Sequence, residues 1–154
     1  MLITYIHLLT LVVWFGGMIF FSFIAAPSIF SILPKETAGD VVGDIFQKYF
    51  LIGYISSLLL LGTLLWLGRG QLKTVIAPLS IIAVMTCITF YSGLIVGTKA
   101  RSIKQQIRQT SEETKKEELK KAFKKIHGVS MILNISVIIL SLIYVAFIAK
   151  ILRL

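Results

Sequence analysis

The chain has 154 residues, 56% hydrophobic and 15% charged, with 16 Lys and Arg against 7 Asp and Glu and a formal charge of +9. Soluble domains carry about 25% charged residues; here the charges are clustered, leaving long uncharged windows and a mean hydropathy of +0.89. A soluble globular enzyme and a secreted disulfide scaffold are excluded. The single Cys87 also rules out a disulfide or a two-thiolate copper relay within one chain.

Four uncharged windows, each about long enough to cross a bilayer, divide the chain. The first covers 2–32, with Pro27 late in it and Pro34 ending it. It lacks a basic residue ahead of the apolar run and exceeds a signal-peptide core, so it reads as an uncleaved first span. The second covers 49–67 and closes on Gly68-Arg69-Gly70. The third covers 74–98, with Pro78 in its first turn, where proline is tolerated. A charged segment follows over 99–127. Thr110 and Glu113 have capping-box spacing, and Glu113/Lys116 and Glu117/Lys121 are helical ion-pair spacings. Leu119, Ala122, Phe123 and Ile126 form an apolar stripe leading into the fourth span, 128–149.

The expected fold is all-α: a single-domain integral membrane protein forming an antiparallel four-helix bundle, with a long cytoplasmic helical hairpin between spans three and four. Arg69, Lys73, Lys150 and Arg153 put four basic residues on one side of the membrane, against twelve on the other. By the positive-inside rule both termini face outward across the cell's inner membrane. Membrane lipids account for the basic surplus, and no nucleic-acid reader motif is present. The expected partners are lipids, with a homo-oligomer or a larger membrane complex.

Polar groups inside a span are expensive and mark function or packing. In the first span His7, Thr10, Trp14, Gly17, Phe21, Ile24 and Ser28 recur at helical spacing. In the fourth, His127, Ser130, Asn134, Ser141 and Tyr144 do so. The second offers Gly53, Ser56 and Thr63, and the third Thr86, Thr89 and Gly93. His7, Thr10, Trp14, Gly17, Ser130 and Asn134 are the candidate ligand-binding residues. His7 and His127 are candidate metal ligands, but they begin spans that start on opposite sides, about 20 Å apart, too far to share one ion. No acidic residue lies within a span and no nucleophile–base pair is visible, so no catalytic residue is assigned. Glu36, Asp40 and Asp44, four apart, read as capping and solvated groups.

His7, Trp14-Phe15-Gly16-Gly17, Phe20-Phe21, Ala26-Pro27, Phe46, Tyr49-Phe50, Phe123, His127-Gly128, Ser130 and Asn134 together resemble a bacterial domain-of-unknown-function family related to the animal transmembrane protein 205. That resemblance implies four spans and, through the animal relative's association with cisplatin resistance, metal or drug handling. The first span alone is similar to the opening helix of HemJ-type protoporphyrinogen oxidases and to the CopD copper-resistance domain. This likeness implies haem b bound through His7, although no membrane-embedded Lys or Arg matches the one those oxidases use. Three functions follow as expectations. The first is a non-enzymatic protein with a polar intramembrane pocket, binding haem b or a porphyrin through His7. The second is a metal-handling or efflux-associated protein, and the third an assembly subunit docking a partner through the basic hairpin.

Overall fold

In the computed structural model the described residues are 1–152, without the side chains of residues 72, 151 and 152. Arg153, counted above at the C-terminal end, lies outside them. The described structure is helical, with no strand among the described residues. Six α-helices follow in order: α1 Leu2–Phe20, α2 Ala26–Ile32, α3 Lys35–Leu67, α4 Leu72–Phe90, α5 Gly97–Gln109 and α6 Glu113–Leu152. A π-helical turn, Phe21–Ala25, joins α1 to α2, and a second, Tyr91–Val96, joins α4 to α5. Four continuous rods result.

Each rod is long and apolar enough to cross a membrane: Leu2–Ile32, Lys35–Leu67, Lys73–Gln109 and Glu113–Lys150. At 1.5 Å per residue all exceed a hydrocarbon core of about 30 Å. The second rod is longer than the uncharged window 49–67, because the helix also runs through 35–48. Uncharged windows mark where charge is unwelcome, whereas a backbone helix continues through Lys and Asp that are spaced to pair, as Lys48 and Asp44 do at 2.8 Å. Thr110 is corrected too: its backbone is extended and it ends α5, so it does not cap α6, which begins at Glu113.

Extended Leu33 and Pro34 separate the first two rods. Gly68 lies under Val75, whose side chain an added Cβ would overlap, and Gly70 takes φ +84°, so this tight turn requires glycine at both places. α1 packs on α3, α3 on α4, and α4 on α6; the seam between α1 and α6 is sparse. Leu11, Trp14, Met18, Leu60, Leu64, Ile82, Met85, Val137 and Tyr144 form the core. The outer faces are equally apolar: Val12, Phe20, Ile55, Leu58, Val84, Ile132 and Ile139 are exposed. A helix apolar all round in a chain this small is solvated by lipid.

Candidate functional site

Two polar layers cross the interior. The first lies near the end of the bundle that carries the chain termini. His7, 1% exposed, sits where α1 faces α3 and α6. Its Nδ1 is 2.7 Å from Thr63 Oγ1, and its Nε2 is 2.9 Å from the Tyr144 hydroxyl. Thr63 directs its hydroxyl proton to the Leu59 carbonyl at 2.7 Å, so its oxygen accepts from Nδ1–H. Nε2 then carries the lone pair, and Tyr144 donates to it.

This arrangement does not fit a haem or porphyrin. An axial ligand needs a free imidazole nitrogen, and both are engaged. The ring itself is buried among core side chains. Nor do the histidines converge. His127 is exposed and stacks on Phe123, with ring centroids 6.2 Å apart. It lies 17 positions along α6 from Tyr144, about 25 Å of helix. Among the described residues no group of three or more His, Cys, Asp or Glu gathers in the manner of a metal site.

The second layer is a pocket between all four rods. Trp14 and Met18 line it from the first, Phe46, Tyr49 and Phe50 from the second, Thr89 and Ser92 from the third, and Ser130, Asn134 and Val137 from the fourth. Its volume of about 20 Å³ admits roughly one water molecule. Asn134 organises one wall, accepting from the Tyr49 hydroxyl at 2.6 Å and donating to Ser22 at 2.8 Å. Thr89 gives its proton to the Met85 carbonyl. Ser92 Oγ, on a residue 6% exposed, is the buried side-chain polar atom that has no partner among the described residues.

Local sequence explains how four helices come this close. A Cβ on Gly53 would lie 3.0 Å from Thr89 Cγ2 and 3.4 Å from Trp14 Nε1, so glycine there lets the indole edge reach the third rod. A Cβ on Gly93 would overlap the Tyr54 hydroxyl and lie 2.9 Å from Phe50 Cγ. The π-turn carrying Ser92 and Gly93 thus rests on the aromatic wall of α3, in which Phe46, Phe50 and Tyr54 stack in succession. Such turns often occur at functional sites.

Of the six candidate ligand-binding residues, the structure brings Trp14, Ser130 and Asn134 together. His7 belongs to the other layer. Thr10 bonds to its own Ile6 carbonyl. Gly17 is exposed beside Gly16, with nothing within 4 Å of either added Cβ, so neither shapes a pocket or packs a helix within one chain. Ser92 and Met18 escaped the sequence reading. Ser92 lies one turn beyond Thr89, and that spacing was the available signal.

The chain matches the family model described as "Domain of unknown function (DUF4149)" over residues 9–109. That range includes Trp14, Tyr49 and Ser92 and excludes His7, Ser130 and Asn134. The chain is also 34% identical over 123 residues to an uncharacterized protein of Aquifex aeolicus (strain VF5), covering 80% of this chain and 79% of the other. No solved structure matches it.

Proposed function

The chain belongs to the DUF4149 family, and we propose that it is a non-enzymatic integral membrane protein whose polar pocket, between the rods at the inner edge of the hydrocarbon core, binds a small, uncharged polar ligand. In this reading the rods form an antiparallel bundle in the inner membrane, with both termini outside and the charged helical end in the cytoplasm. The imbalance of Lys and Arg between the two ends supports that orientation. The likeness to proteins related to transmembrane protein 205 is carried with it, resting on Trp14-Phe15-Gly16-Gly17 and His127-Gly128.

The observation that carries the proposal is the unpartnered Ser92 hydroxyl in the pocket. Leaving such a group unsatisfied costs about 1–3 kcal/mol, and native proteins almost always satisfy it with protein or a bound molecule. Ser130 adds a hydroxyl and Trp14 an indole N–H that can only donate. No charged side chain lines the pocket, so an ion there would lack a counter-charge in a low dielectric. The ligand is accordingly neutral, water-sized in this conformation, and bears an oxygen that accepts hydrogen bonds.

Trp14 is a built-in reporter once Trp66 is replaced by Phe. Titrating that protein in detergent with methanol or formamide should shift Trp14 emission saturably, and Ser92→Ala should abolish saturation. A linear, Ser92-independent response overturns the reading. Haem at His7 is the weaker alternative, since it requires His7 to surrender Tyr144.

A further inference from the structure

We propose that the charged end of the bundle carries a belt that binds anionic phospholipid headgroups, formed by Lys99 and Arg101 of α5 and Lys121, Lys124 and Lys125 of α6. Depth along the rods is the first argument. Ser92 and Ser130 share the pocket and so mark one level. Lys99 and Arg101 lie about 10–14 Å beyond Ser92, and Lys125, Lys124 and Lys121 about 7–14 Å beyond Ser130. Counted from Lys73 and Lys150 at the opposite end, Ser92 and Ser130 are about 30 Å along their rods, the thickness of the hydrocarbon core. The five cations therefore stand at headgroup depth, and α5 packs on α6 to bring the two groups side by side.

The pairing of charges points the same way. All seven acidic residues lie within 36–44 and 112–118. Farther from the pocket, Lys104 and Arg108 pair with Asp40, Lys116 with Glu113, and Lys120 with Glu117. Lys48, at pocket level, pairs with Asp44. The five belt residues are exposed and form no ion pair among the described residues.

A third observation selects lipid over an acidic protein. Ser22 bonds to Asn134 at pocket level, yet the first rod runs apolar to Ile32, about 15 Å farther. Phe30 and Ile32 are exposed there, about 12 and 15 Å beyond Ser22. Apolar side chains and unpaired cations at one depth match a lipid interface, which covers the former and neutralises the latter. A soluble acidic partner contacting only the cations would leave those two side chains in water.

The test titrates the detergent-purified full chain with phosphatidylglycerol or phosphatidylcholine and reads bound lipid by native mass spectrometry. Wild type should prefer the anionic lipid. Lys121→Gln/Lys124→Gln/Lys125→Gln should lower that preference about a hundredfold, at about fivefold per surface cation. Lys115→Gln/Lys116→Gln, farther from the core, should leave it unchanged. Should the triple variant misfold, Lys124→Gln alone should lose about fivefold. Equal binding of both lipids by wild type overturns the proposal, as does an unchanged preference in the lysine variants. So does an acidic protein that co-purifies through these lysines while lipid preference stays constant.

Discussion

The Tyr144 hydroxyl on α6 lies 2.9 Å from Nε2 of His7 on α1, joining positions 137 apart in the chain. With Thr63 of α3 on Nδ1, one imidazole ties three helices, and it does so across the sparse α1–α6 seam. Tyr144→Phe should leave Nε2 buried without a donor and lower stability in detergent by about 0.6–1.7 kcal/mol, the range for interhelical hydrogen bonds in membranes. Thr63→Val should act similarly. The double variant should depart from the sum of the two, because both partners hold one ring. Thermal denaturation of the four proteins checks this; strict additivity would argue against a shared ring.

The same pairing makes a spectroscopic prediction. Protein purified after haem-supplemented growth should show no Soret band that shifts on reduction with dithionite. A shifting band lost in His7→Ala would restore haem as the ligand and require the Tyr144 contact to open.

Two glycines should behave oppositely. Gly93→Ala places a Cβ on the Tyr54 hydroxyl and 2.9 Å from Phe50 Cγ, so it should destabilise by about 1–3 kcal/mol through overpacking. Gly16→Ala meets nothing within 4 Å and should be neutral or stabilising by up to about 1 kcal/mol through helix propensity. Chemical denaturation in detergent separates them.

Orientation is read by labelling. In a Cys87→Ser background, Lys150→Cys should react with a membrane-impermeant maleimide on intact spheroplasts, whereas Lys115→Cys should react only after lysis. The reverse pattern would invert the bundle.

Asp40 gives the charged end a pH dependence. Its hydrogen bonds to Lys104 and then Arg108 hold its carboxyl below the ordinary 3.8. A depressed folded-state value means this clamp between α3 and α5 is present above the unfolded value and is lost as pH falls through the folded one. Amide protection in α5, measured against the intrinsic exchange rate at each pH, should therefore be steady at neutral pH and fall below about pH 4. Asp40→Asn should show the lowered protection already at neutral pH, with the acid-dependent loss removed.

Polarity was an imperfect guide to which face of the first helix turns inward. His7, Thr10, Trp14 and Gly17 recur at helical spacing, yet the buried stripe is His7, Leu11, Trp14, Met18 and Phe21. Thr10 satisfies itself on its own backbone, and lipid does not penalise an exposed glycine, so neither residue needs the interior. His7 and Trp14 were legible because a buried imidazole or indole needs a partner that lipid cannot supply. Ser92 was less so, since a serine in a span ordinarily bonds back to its own helix, as Ser136 and Ser141 do.

From sequence alone came the helical class, the four apolar segments and the concentration of charge beyond one end of them. These depend on composition within single segments, and a bilayer acts on each segment separately. Only the tertiary structure decided that His7 meets Thr63 and Tyr144 while Trp14 joins Ser92, Ser130 and Asn134 in another layer. Those meetings depend on the rotation of each helix about its axis and on its register against its neighbours. Interlocking side chains from different rods set both, and a uniformly apolar window is indifferent to either.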